Sequence, residues 1–195
     1  MQQEQLTIVG RGASWYACPF EGEVWGTATC LGTEGMGDKR FDKVFAFDDE
    51  HYFLMKCLDI AKERAIPVVS TKRYATEKYP LVDIYNDFGT SYLKNSISYM
   101  LALAIHQKRN SLAVYGVEQT GEYAEGKPYV TFWLGVAVGR GIQYSVANYS
   151  LPHRIVPDIQ DVLDKINAPK LKLRDFKALA VSEDAVLVTE VHNAE

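Results

Sequence analysis

Thr7-Ile8-Val9-Gly10-Arg11-Gly12-Ala13-Ser14 constrains the fold of this chain more than any other stretch. A short β-branched run ends in two glycines one residue apart, followed by a small hydroxyl residue. The first strand of an α/β sheet brings its backbone to a phosphate in this way, because glycine has no Cβ and lets the main chain turn tightly against a neighbour. A helix starting just after would offer unpaired N–H groups and the positive end of its dipole. Ser14 would then be its N-cap or a hydroxyl donor. The dinucleotide pattern asks for a third glycine, and Trp15 stands in its place. A tight structural turn is the competing explanation of the same residues.

The rest of the chain reads as alternating strands and helices. Strands are expected at Leu6 to Val9, Glu23 to Thr29, Lys43 to Phe47, Pro67 to Ser70, Ser111 to Tyr115 and Ile142 to Val146. Thr33 to Lys39 is Gly-rich and charged and reads as a loop. Asp48 and Asp49 are placed to cap a helix over Glu50 to Arg64, where Phe53, Leu54, Cys57, Leu58 and Ala61 recur at helical spacing. Thr71 to Thr90 lacks a clear period and reads as a long loop with one short strand at Leu81 to Ile84. Asn95 or Ser96 opens the clearest helix, with Ile97, Met100, Leu101, Ala104 and Ile105 on one face. Pro128 begins another helix, stopped by Gly139-Arg140-Gly141. Such alternation implies parallel strands joined by crossover helices.

From Leu151 onward the pattern changes. Pro152, Pro157 and Pro169 punctuate the segment, with a short amphipathic helix expected at Asp158 to Ile166 and a strand at Ala185 to Val191. Residues 1–150 therefore read as one α/β domain and 151–195 as a C-terminal extension. That extension is a candidate edge strand or oligomer arm, or packs on its own domain.

Composition excludes several function classes. A net charge of −4 disfavours a nucleic-acid groove as the main surface. Cys18, Cys30 and Cys57 are odd in number and lack C-x-x-C spacing, and His51, His106, His153 and His192 are scattered. No metal site or disulfide framework is expected, and a reducing cytoplasmic setting fits. The chain shows no basic, apolar leader and no run long enough for a bilayer, so no membrane partner is expected.

A family resemblance rests on three stretches. Gly10-Arg11-Gly12-Ala13-Ser14 resembles the Gly-x-Gly-Pro-Ser loop of a Rossmann-like group. That group contains bacterial CMP-sialic-acid sialyltransferases and the hydroxymethylpterin-pyrophosphokinase-like domains of motility accessory factors. Asn95 to Ile105, followed by Leu112-Ala113-Val114-Tyr115-Gly116-Val117-Glu118, is similar to a helix and strand of the same group. Glu122-Tyr123 and Trp133 to Ile142 are similar to small uncharacterised tailed-phage proteins. The resemblance spans roughly residues 6 to 150. It implies a Rossmann-like, mostly parallel sheet flanked by helices, with a nucleotide site at the carboxyl ends of the strands.

The residues point to the same place, because ligands of open α/β sheets bind outside the carboxyl ends, where the strand order reverses. The candidate ligand-binding residues are Gly10, Arg11, Gly12, Ser14, Trp15, Thr27, Asp48, Asn95, Ser96, Gly116, Glu118, Tyr123 and Arg140. Arg11 suits a phosphate by its two-pronged guanidinium. Asp48 suits a ribose or a divalent ion, or caps a helix. Asn95 and Ser96 are ligand contacts or a plain N-cap. Trp15 and Tyr123 are candidate stacking faces for a base. Arg140 is an anion contact or a helix-end charge. Glu118 suits a ribose hydroxyl and is the candidate catalytic base.

Two functions follow as expectations. One is binding of a nucleotide or nucleotide-derived phosphate ligand, including capture of a signalling nucleotide as a phage counter-defence. The other is nucleotide-dependent glycosyl or pyrophosphoryl transfer. The sialyltransferase-like members use a histidine base in a lid after the Gly-Ile-Asp segment. No histidine lies between His106 and His153, and the lid here is short. Magnesium enters only if the chain is an enzyme.

Overall fold

In the computed structural model, residues 5–147 are described. They form a sheet of seven strands, all parallel where they pair. The strands are β1 (Leu6–Val9), β2 (Glu23–Thr27), β3 (Lys43–Phe45), β4 (Val68–Ser70), β5 (Glu77–Lys78), β6 (Ser111–Tyr115) and β7 (Gln143–Val146). Their spatial order is β5-β4-β3-β2-β1-β6-β7. Four helices accompany them: α1 (Tyr52–Glu63), α2 (Leu81–Phe88), α3 (Ser96–His106) and α4 (Lys127–Gly139). The fold is thus α/β and Rossmann-like, as the alternation predicts.

Strand alternation divides the core between two faces. Leu6, Ile8, Trp25, Phe45 and Val69 point into one cluster with α2, α3 and α4. Val9, Val24, Val44 and Val68 point into the other, with α1 and the 3-10 turns. A sheet buried on both faces needs near-continuous apolar strands, and these short runs supply them. Each fully buried Leu, Ile or Phe contributes about 1.5–3 kcal/mol. Helix α3 is buried nearly all round because it lies between the sheet and its neighbouring helices. Hence Ala102 and Leu103 are as buried as the face read from the spacing.

Three expectations are corrected. The segment Leu81 to Ile84 is the start of α2, not a strand. Ile84 and Phe88, four apart, both pack on the core cluster, and Gly89 ends the helix in the left-handed region at φ +66°. Asp48 and Asp49 do not cap α1. His51 does, by accepting from Leu54 N. The β2 and β3 strands also stop two residues early, and Ala28–Gly32 is a 3-10 turn. The helix and strand expected after Leu151 lie outside the described residues.

Candidate functional site

The order of the strands reverses between β1 and β6, and the loops leaving those strands meet there. They are laced to each other by backbone bonds. Gly10 N donates to Tyr115 O at 2.8 Å and Gly12 N to Gly116 O at 2.8 Å. Gly116 N donates back to Ser14 Oγ at 2.8 Å. Ser14 N donates to Glu118 Oε1 at 2.5 Å. The glycines serve this closeness. A Cβ on Gly10 would strike the Gly116 carbonyl, and one on Gly12 would strike Glu118 Oε2. Gly116 itself sits at φ +65°, which a side chain would strain.

These bonds bear on how much of the loop is left to face a ligand. The amides of Gly10, Gly12, Ser14 and Trp15 are all spent inside the protein. No α-helix follows the loop; Ala13–Ala17 is one short 3-10 turn. Glu118 fastens the junction through Oε1, which holds Ser14 N, while its Oε2 is buried with no hydrogen-bond partner among the described residues.

Beside the junction opens a cavity of about 590 Å³. Its walls come from five places: Gly10 to Gly12 after β1, Thr27 and Thr29 at and after the end of β2, Asp48, His51 and Phe53 before and within α1, Lys94 to Ile97 opening α3, and residues between Gly116 and Gly126 after β6. A second groove of about 410 Å³ lies by the last turns of α1 and the start of β4. It is mainly apolar and sits at the amino end of β4, so it lacks the convergent polar groups of a ligand site.

Two helices begin on the cavity wall. The first amides of any helix have no carbonyl of their own helix to reach, and they carry the positive dipole end. At α3, Asn95 caps Ser98 N at 2.9 Å, and Ser98 Oγ bonds back to the Asn95 backbone. Asn95 Nδ2 also donates to Gln119 Oε1 at 3.0 Å, tying the helix start to the β6 loop. At α1, His51 Nδ1 accepts from Leu54 N at 3.4 Å.

The charges on the wall are of both signs. Arg11 lies with its guanidinium 5.3 Å from the centre of the Phe53 ring. Lys94 pairs with Glu125 at 2.6 Å. That bond holds the Glu125 carboxyl below its ordinary value and raises the Lys94 ammonium. Beyond the cavity, Asp49 is held low by its bond to Lys72. Thr27 Oγ1 lies 3.0 Å from Thr29 Oγ1 and 3.2 Å from Cys30 Sγ. Burial pushes the Cys30 thiol up to about 11, so it is inert.

Of the candidate residues, Gly10, Arg11, Gly12, Thr27, Asp48, Asn95, Ser96, Gly116, Glu118 and Tyr123 all line this cavity. Three lie elsewhere. Ser14 is buried and accepts from Gly116 N. Trp15 is buried and stacks on Tyr16 with ring centres 3.9 Å apart. Arg140 ends α4, where it pairs with Asp87 at 3.1 Å and lies over Phe88. The sequence reading named Glu125 as a possible substitute base and Gln119 to Lys127 as the short lid, and it missed His51, Phe53 and Lys94 as cavity residues. Only Lys94, a cation beside the Asn95 cap, carried a usable signal.

No protein-family model matches the chain, and no curated protein matches it either. A solved structure similar to it is the sialyltransferase CstII from Campylobacter jejuni in complex with a substrate analogue, cytidine-5'-monophosphate. Identity is 13%, the TM-score is 0.49, and the match covers 73% of this chain and 78% of that one. Among the described residues, no helix is long and apolar enough to cross a membrane.

Proposed function

We propose that this chain binds a nucleotide or a nucleotide-derived phosphate ligand in the cavity beside the β1–β6 junction, and holds it without converting it. The observation that carries this reading is the opening of α1, with Arg11 beside it, onto a cavity whose other wall is the start of α3 with the Lys94–Glu125 pair. Helix starts with nearby cations favour anions. A volume of about 590 Å³ is in the range of small-molecule sites. Thr27, Thr29 and Asp48 offer partners for sugar hydroxyls, and the half-exposed Tyr123 offers a ring face to a base. The fastened state of Glu118 favours holding over chemistry. Together with the resemblance to phage proteins, this favours capture of a signalling nucleotide.

Glycosyl or pyrophosphoryl transfer is the second reading, favoured by the presence of His51, Asp48 and Glu125 on the wall. Among the described residues no three His, Cys, Asp or Glu side chains gather as metal ligands. In that reading a magnesium ion would come with the ligand's phosphates, and Asp48 is one of the carboxylates on the wall. The C-terminal extension remains our candidate oligomer arm, to be checked by light scattering with and without residues 151–195.

The test is to incubate the purified protein with a mixed nucleotide extract, wash it, denature it and identify what was retained by mass spectrometry. An intact nucleotide in fixed stoichiometry, lost in Arg11→Ala, is the expected result. A converted product would replace binding by transfer. Nothing retained would sink the nucleotide site.

A further inference from the structure

Among the described residues, His51 is the one histidine on the cavity wall, and its ring already has a task. It stands at the N-cap of α1 with extended backbone at φ −139° and ψ 162°. Nδ1 accepts the Leu54 amide at 3.4 Å. A ring nitrogen can accept only if it carries no proton. The neutral ring that caps α1 therefore carries its single proton on Nε2. An imidazolium, with protons on both nitrogens, cannot make this cap. Nε2–H is then the only polar group that the ring has left to offer the cavity.

From this we infer that His51 is a specificity-determining donor to a phosphate oxygen of the ligand, through Nε2–H, and not a general base. The inference rests on the nucleotide-binding reading above and deepens it, because it says which end of the cavity takes the phosphate. The wall around His51 is rich in donors. The first amides of α1 follow it directly, and Arg11 lies over Phe53, two residues along. Asp48, on the same stretch, is an acceptor and suits a sugar hydroxyl beside the phosphate. The opposite wall is internally matched: Lys94 is paired with Glu125, and Asn95 with Gln119. Matched polar groups suit the neutral nucleoside part. The phosphate thus lies at the start of α1, away from the glycine junction whose amides are spent.

The fixed tautomer also bears on the chemistry. A general base needs a lone pair facing the substrate. On His51 the nitrogen left outside the cap holds the proton, and freeing it would move the proton to Nδ1 and break the cap. Histidine-based transfer therefore finds no base in His51, although its ring lines the cavity.

Two measurements test the inference. The first needs no ligand: ring ¹⁵N shifts of the full chain at neutral pH, with His51 assigned by its loss in His51→Ser. The expected signature is a bare Nδ1 and a protonated Nε2. A proton on Nδ1 overturns the inference outright. The second uses calorimetry with a panel of nucleoside 5'-monophosphates and the matching nucleosides. Serine is a good N-cap with a side chain too short to replace the ring donor, so His51→Ser keeps α1 and the melting temperature while removing the Nε2–H. Its affinity for the monophosphates should fall about tenfold with nucleoside affinity unchanged, the loss of one hydrogen bond to a charged oxygen. Equal loss for both ligand sets, or no loss, overturns the assignment and leaves the binding site standing. If the wild type binds no member of the panel, the nucleotide reading falls and takes the phosphate assignment with it.

Discussion

Two regions share one cavity and are built in opposite ways. At the glycine junction, every close approach is protein against protein: Gly10 against Gly116, Ser14 against Glu118. At the starts of α1 and α3, a single side chain caps each helix and leaves its first turn facing the cavity. The glycines carry the sequence signature of a phosphate loop, while the helix starts carry the means to bind one. Closeness of backbone is needed both to cradle a ligand and to weld two loops, so a Gly-x-Gly pair alone does not say which.

The comparison can be broken most sharply at Gly10. Gly10→Ala places a Cβ on the Gly116 carbonyl, which is backbone and cannot swing away. Overpacking of this kind should cost about 3 kcal/mol, read by urea unfolding. A folded Gly10→Ala variant of wild-type stability would mean that the junction is not welded.

Next in size is Glu118→Ala, which strands the Ser14 amide and should cost about 1–3 kcal/mol. Glu118→Gln keeps an oxygen for that amide and should lose less, while retaining ligand. If Glu118→Gln stays folded yet loses a nucleotide that the wild type holds, Glu118 belongs to the binding region and the division fails.

Arg11→Ala should act the other way. Arg11 is exposed, so the melting temperature should hold while affinity for a phosphorylated ligand drops about tenfold by titration calorimetry.

The smallest effect lies outside both regions. Asp87 accepts from Arg140 and lies 2.9 Å from His106 Nδ1, joining the ends of α2, α4 and α3. Arg140 first, and His106 second, hold its carboxyl below the ordinary value. A depressed carboxylate stabilises the fold above its unfolded value near 4, and this is lost as pH falls through the folded value. With the group partly solvated, the contribution is about 1 kcal/mol or less. Asp87→Asn should therefore narrow the stability gap between pH 7 and pH 3, as seen in melting curves. An unchanged gap would remove Asp87 from the acid response.

Six of the seven strands were legible as short runs rich in apolar residues, while β5, the charged pair Glu77–Lys78, lies in the segment read as a loop and carries no such run. Helix α3 was legible down to its cap, since Asn95 precedes an unbroken apolar stretch. Helix α2 was not. Its first four residues suit a strand as well as a helix, and only the pairing of Ile84 with Phe88 on the core decides. Among the cavity-lining residues, most beside a strand end were named, along with Asn95 and Ser96 at the start of α3. His51 was hidden because Asp48 and Asp49, stronger capping residues by type, stand just before it. Arg140 misled because a charge between two glycines looks like a ligand contact, and its partner Asp87 lies in the segment read as a loop. The fate of the glycine-loop amides was beyond reach, since their acceptors belong to a strand far along the chain.

That distance has a kinetic side. The bonds that fasten Ser14 to Gly116 and to Glu118 join residues 102 and 104 apart in sequence. Strand β1 can pair with β2 early, but its other edge must wait for β6. Contacts between distant segments pay the loop-closure entropy before they return anything, and they slow folding. On a ribosome, β1 through β5 emerge with the β1 edge bare, an apolar strand exposed to aggregation until β6 arrives. The cavity is thus assembled last, and a chain interrupted before residue 111 would carry its glycine motif complete and have nothing to close it against.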